Sequence, residues 1–169
     1  MNFRMSIVLA ISIISQCACY ELTAKRVYVD MVADLFHPGH VSFFKKARQF
    51  GDYLIVGLIS DEVCKDYKRL PIMTLQERVD AVSACKYVDE VIPDSPLYLT
   101  DEFLDEHNID VVIHGDDYTE EQVQMYYGPA VKRGIYQAVG YTSGISTSDL
   151  IKRIIDRITV SKVIFDVHS

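Results

Sequence analysis

Two imidazoles stand three residues apart in His37-Pro38-Gly39-His40, just ahead of a run with helical spacing. A helix N-terminus carries unpaired N–H groups and a partial positive charge, so side chains placed there meet anions such as phosphate. Two histidine donors beside those groups could stabilise the charge gained when a phosphorus becomes five-coordinate. Gly39 leaves space for a phosphate or a base to approach the backbone. The same four residues also read as a helix cap with one exposed imidazole. A metal pair is a third reading, although no third ligand follows at familiar spacing.

Two further polar clusters carry similar double readings. Residues 143–148 open a helical run with Gly144 for a tight turn and with Ser146, Thr147 and Ser148 as donors to anionic oxygens; plain capping by Ser or Thr is the alternative. Gly115-Asp116-Asp117 could accept from the exocyclic amine of a base, hold Mg2+, or form an Asx turn. Lys68 and Arg69 lie in a loop, Lys65 to Pro71, from which an adjacent basic pair reaches a phosphate or simply faces solvent.

The elements that would position these clusters alternate along the chain. Apolar runs at Val27–Asp30, Tyr53–Leu58, Val88–Ile92, Val111–Ile113 and Tyr136–Val139 read as strands, several of them too uniformly apolar for a half-exposed sheet. Between them lie helical patterns. One carries Val41, Phe44 and Ala47 to a stop at Gly51; a second follows a Thr74–Glu77 capping box; a third runs from Thr100 to Asn108. A fourth spans Glu120–Lys132 before Gly134, and the last begins at Ser148 and carries Ile151, Ile154, Ile155 and Ile158. This order predicts an α/β fold, a Rossmann-like, doubly wound parallel sheet of five strands with helices on both faces. Ligands in such sheets bind beyond the carboxyl ends of the strands where strand order reverses, and all three polar clusters follow strand ends.

The 169 residues suit one domain, expected over residues 25–160 with a tail at 161–169. The net charge of −7, with scattered Lys and Arg, excludes nucleic acid as the main partner but not a nucleotide. Residues 1–20 have a basic start, a short apolar run and small residues at Cys17, Ala18 and Cys19, the layout of a secretory signal peptide. Cytoplasmic residence is the alternative. Cys64 and Cys85 make no disulfide framework, and Cys85 reads as a buried thiol on the apolar side of its helix.

Taken together the clusters resemble the cytidylyltransferase family, nucleotidyltransferases with an HxGH motif. Asp34-Leu35-Phe36 with His37 to His40, Gly51 to Gly57, Ser60 to Glu62, Glu77-Arg78, Tyr87 to Val91, His114 to Asp117 and Gly144 to Ser148 fall in the family's order, from Val27 to Arg157. The likeness is first to ethanolamine-phosphate enzymes, then to those for glycerol 3-phosphate and choline phosphate. It implies attack of a phosphomonoester oxygen on the α-phosphate of CTP, with Mg2+ bound through the triphosphate and pyrophosphate released. His37, His40 and Lys68 would be catalytic. Val32, Ala33, Gly39, His40, Asp116, Gly144, Ile145, Ser146 and Thr147 would contact the nucleotide, and Asp34, Lys68 and Arg78 the acceptor. A homodimer with Tyr87–Asp89 at the contact is implied as well. ATP as nucleotide, or a homologue that binds or scaffolds without turnover, are the alternatives. Where the family usually reads R-T-E-G-I-S-T, this chain has Tyr141, Thr142 and Ser143 before Gly144, and Met31 and Ala33 replace a glycine and a phenylalanine. Replacing that arginine exchanges a charge-assisted phosphate contact for at best a phenol.

Overall fold

The computed structural model describes residues 24–67, 69–140 and 144–166. The signal-like segment, Lys68 and residues 141–143 lie outside the described residues. The chain forms β1 (Arg26–Met31), α1 (Pro38–Ala47) with a 3-10 turn (Arg48–Phe50), β2 (Tyr53–Leu58), α2 (Asp61–Tyr67), α3 (Leu75–Ser83), β3 (Glu90–Pro93), α4 (Asp101–Glu106), β4 (Val111–Gly115), α5 (Glu120–Lys132), β5 (Tyr136–Val139) and α6 (Thr147–Asp166). All strand pairs are parallel, in the order β3-β2-β1-β4-β5. Strand order therefore reverses between β1 and β4, the doubly wound arrangement expected.

Burial follows from strand alternation. Val27 and Val29 join Phe44, Leu54, Val56 and Val82 in a core beneath α1 and α3. Tyr28 points the other way, into a core with Leu104, Ile109, Tyr127 and Ala130 beneath α4 and α5. With both faces covered, β1 is the central strand and its four middle residues are buried.

Local chemistry explains most helix ends. Thr74, Thr100 and Thr119 each accept an N–H from the residue three ahead, and Thr74–Glu77 and Thr119–Gln122 are reciprocal capping boxes. α4 and α5 close with left-handed residues, Asn108 at φ 49° and Gly134 at φ 69°. At each end the paired returning bonds of a Schellman motif are present, Ile109 N–H to Leu104 and Ile135 N–H to Ala130 among them.

Four elements depart from the sequence reading. α2 fills residues 61–67, so Lys65 sits on a helix and the loop reaching Pro71 begins later. α3 ends at Ser83, which leaves Cys85 beyond the helix and only half-buried, while Cys64 on α2 is the fully buried thiol. β3 begins at Glu90 rather than Val88. α6 starts one residue early and continues to Asp166, so the tail expected from residue 161 is largely helix. α5 also bends: Tyr127 leaves helical geometry (φ −123°, ψ 16°) just before Pro129, whose ring and missing N–H disturb the preceding turn.

Gly57 pairs with Asp30 across β1 and β2. A Cβ there would collide with the Tyr28 hydroxyl and sit 2.7 Å from Ser95 Oγ. Gly57→Ala should therefore cost about 1–3 kcal/mol through overpacking. It should lower the urea midpoint without changing the slope. An unchanged midpoint would mean that Tyr28 moves aside freely.

Candidate active site

The ends of β1 and β4 diverge at the reversal point and open a cavity of about 330 Å3. Its walls are the turn after β1 (Val32, Ala33, Asp34), the start of α1 (His37, Gly39, His40), the segment around Arg69 and Pro71, the end of β4 (His114, Gly115, Asp117, Tyr118) and the start of α6 (Ile145 to Ser148).

The turn after β1 is held in an unusual shape. Ala33 and Leu35 have φ of 57° and 47°, a region costly for residues with a Cβ and kept only when neighbours impose it. Asp34 between them supplies that restraint. Its Oδ1 accepts the Ile72 and Met73 N–H groups, both at 3.0 Å, and its carbonyl accepts the Thr147 hydroxyl at 2.9 Å. One buried residue thus ties three walls of the cavity together.

The two histidines form a reciprocal cap on α1. His37 Nδ1 accepts the Gly39 N–H at 3.1 Å, and His40 Nδ1 accepts the His37 N–H at 3.2 Å. A ring nitrogen that accepts carries no proton, so each neutral ring keeps its hydrogen on Nε2. The rings stack with centroids 3.9 Å apart, and both residues line the cavity. Burial holds the His37 imidazole below its ordinary pKa. Burial, followed by the neighbouring His37, pushes His40 down to about 4 against the pull of Asp34. Both are neutral Nε2–H donors near pH 7. The space above Gly39 goes to protein rather than to ligand, since a Cβ would meet the His37 ring at 2.8 Å and the Ile145 carbonyl at 3.0 Å.

At α6, Ser146 caps the helix through Asp149. Its hydroxyl donates to Asp149 Oδ2 at 2.7 Å and accepts the Asp149 N–H at 3.1 Å. With Thr147 committed to Asp34, the Thr147 and Ser148 N–H groups are the donors this helix start offers an anion.

The opposite end of the cavity is aromatic and acidic. Asp30 is buried, and Oδ1 accepts the Tyr127 hydroxyl at 2.8 Å, a contact delivered by the bend in α5. Burial raises the Asp30 pKa, opposed by His114 and by the Tyr127 bond. Tyr118 lies against His114 with the rings tilted by 31° and centroids 4.2 Å apart, and burial with the charge of Asp30 pushes its pKa up to about 12.

Of the residues singled out in the sequence, the cavity gathers His37, His40, Val32, Ala33, Gly39, Asp34, Ile145, Ser146 and Thr147. Three others are not brought to it. Asp116 is exposed and lies off the wall, where Asp117 stands instead. Gly144 also lies off the wall, at a left-handed φ of 127°. Arg78 is wholly buried: it donates to the Val32 carbonyl at 2.6 Å and pairs with Asp61, so it shapes the turn from behind. His114 and Arg69, read in the sequence as part of a strand-end cluster and of a basic pair that reaches a phosphate, also line the cavity, as do Asp30 and Tyr118, to which no role was given. Asp30 was legible as an acidic residue ending an otherwise apolar strand; Tyr118 had no such signal.

The fold and the two helix starts facing one cavity define a doubly wound α/β domain with its cleft at the point where strand order reverses. The chain belongs to the cytidylyltransferase-like family, whose sequence profile spans residues 30–153. It is 44% identical over 138 residues to the ethanolamine-phosphate cytidylyltransferase of Dictyostelium discoideum, covering 78% of this chain and 38% of that protein. It is also 44% identical over 133 residues to choline-phosphate cytidylyltransferase A of Homo sapiens, covering 77% and 36%. The chain thus spans less than half the length of these curated relatives. Among solved structures it is similar to the lipopolysaccharide core biosynthesis protein from Thermoplasma volcanium, with a TM-score of 0.59 and 25% identity over 72% of this chain and 99% of that one.

A histidine whose folded pKa is depressed contributes nothing to pH dependence while both states are neutral. Below about 6.5 the unfolded chain takes up a proton that the folded His40 refuses until about 4, so stability is lost across that window as pH falls. Urea midpoints measured from pH 7.5 to 4 should fall less steeply in His40→Gln, whose amide oxygen can still accept the His37 N–H. Equal slopes in the two proteins would refute the assignment.

Proposed function

We propose that this domain transfers CMP from CTP to a small phosphomonoester bearing an ammonium group, phosphoethanolamine foremost, and releases pyrophosphate. One observation carries the reading. Two neutral Nε2–H donors are fixed at the start of α1, and the start of α6 lines the same cavity, at the point where strand order reverses. The acceptor phosphate oxygen would attack the α-phosphorus, forming one P–O bond while the bond to the β-phosphate oxygen breaks. His37 and His40 would donate to the α-phosphate oxygens as their charge grows, which asks for oriented donors more than for a charged acid.

Relatives that are ethanolamine-phosphate and choline-phosphate cytidylyltransferases support CTP and an amino-alcohol phosphate. The Asp30 end supports the ammonium. A buried carboxylate that is costly to ionise is relieved by a cation, and tyrosine faces around it add cation–π attraction. Mg2+, bound through the triphosphate, would supply charge neutralisation. Among the described residues no three His, Cys, Asp or Glu side chains cluster as a metal site, so water and phosphate oxygens would complete its shell, with Asp117 on the wall in reach of that hydration. A homodimer belongs to the same reading, although within the implied contact segment Asp89 already accepts the Leu54 N–H and pairs with Arg48, while Tyr87 and Val88 pack partly against the core.

The full chain should release pyrophosphate with CTP and phosphoethanolamine in Mg2+, and less with ATP or with phosphocholine. His37→Ala and His40→Ala should each lower kcat by about 10²- to 10³-fold. Folded protein that releases none with any pair would overturn the transferase reading. Asp30→Asn should raise KM for the ammonium acceptor about tenfold or more while KM for CTP stays unchanged. An equal change in both constants would remove Asp30 from the acceptor end.

A further inference from the structure

Charge in the cavity is out of balance with its proposed ligand. Among the described residues of its wall, three are carboxylates (Asp30, Asp34 and Asp117) and one, Arg69, is a permanent cation. A nucleoside triphosphate brings several negative charges into that setting, and the bond to be broken leaves more of them on pyrophosphate. Neutral imidazoles and helix N–H groups provide dipoles, not a full charge.

Arg69 is placed to supply one. It stands three residues before the Ile72–Met73 peptide that Asp34 grips, so its backbone is anchored to the turn after β1. Its Nη1 reaches Ser148 Oγ at 3.4 Å, a long bond to the first turn of α6. The guanidinium therefore spans from the Pro71 wall to the helix start whose Thr147 and Ser148 N–H groups await an anion. A shallow groove continues from it along α6, lined by Arg69, Ser148, Ile151, Lys152 and Ile155, which sets a second cation beside the first.

We propose that Arg69 binds the β- and γ-phosphates, exchanging its long bond to Ser148 for charge-assisted bonds to phosphate oxygens and stabilising the departing pyrophosphate. This role rests on the nucleotidyltransferase reading. The guanidinium can hold two oxygens of one phosphate at once, which a lysine cannot reproduce.

Titration calorimetry on the full chain tests this with CTP, CMP and inorganic tripolyphosphate, comparing wild type with Arg69→Ala and Arg69→Lys, each first shown folded by circular dichroism. Arg69→Ala should weaken CTP and tripolyphosphate about tenfold or more and leave CMP unchanged, with Arg69→Lys between. CTP affinity within about twofold of wild type, or an equal loss for CMP, would overturn the role of Arg69. Wild type that binds tripolyphosphate through Arg69 but neither nucleotide would keep that residue as a polyphosphate ligand and sink the nucleotide reading. Wild type that binds none of the three would remove both.

Discussion

The carboxylate of Asp34 is the constraint on which the cavity depends. Its neighbours Ala33 and Leu35 occupy left-handed backbone that neither would choose, and three bonds to one residue hold them there. The carboxylate fixes the Ile72–Met73 peptide to the end of β1, and the carbonyl of the same residue seats α6 against the turn. Arg78 works from behind, holding the Val32 carbonyl while Asp61 balances its charge. A buried guanidinium paired through its two terminal nitrogens gives rigidity at a desolvation cost, and here the rigidity falls on the Val32 peptide that lines the cavity. Among the described residues the buried Oδ2 of Asp34 has no hydrogen-bond partner, so their contacts leave polarity unsatisfied at the turn where the ligand would enter.

The histidine pair shows how folding and chemistry share atoms. Each Nδ1 is spent on a backbone N–H that α1 would otherwise leave unpaired, and that choice dictates which nitrogen carries the proton. Depressed pKa values keep the rings neutral, so the cap persists across the pH range in which an unperturbed imidazole would charge. The aromatic end of the cavity depends on a different local accident. Pro129 disturbs α5, Tyr127 leaves the helical path, and its hydroxyl arrives at Asp30.

Much of this was readable from residue patterns. Apolar runs placed all five strands, and Thr74, Thr100 and Gly134 marked helix ends through chemistry that acts within a few residues. The histidine motif and the serine-rich turn were placed at one cavity because both follow strand ends. Contacts decided by tertiary packing were hidden. Arg78 was placed at the acceptor by the family resemblance alone, and no local pattern announces that it is wholly buried by its bonds to Val32 and Asp61. Asp116 and Asp117 are adjacent and alike, and only the path of the chain after β4 decides which one faces inward. α2 escaped notice because seven residues, with Cys64 the buried one among its described side chains, carry too little periodicity to distinguish a helix from a loop.

The double use of the imidazoles has an evolutionary edge. A lineage that lost turnover would still be selected to keep both rings, because α1 needs its cap to fold; drift at His37 and His40 is restrained by stability alone. Arg69 caps no helix among the described residues, and its bond there is a long one to a serine. Among descendants of such a domain, the histidine pair would be inherited as architecture, while the cation across the cavity would be the first part released when chemistry no longer mattered.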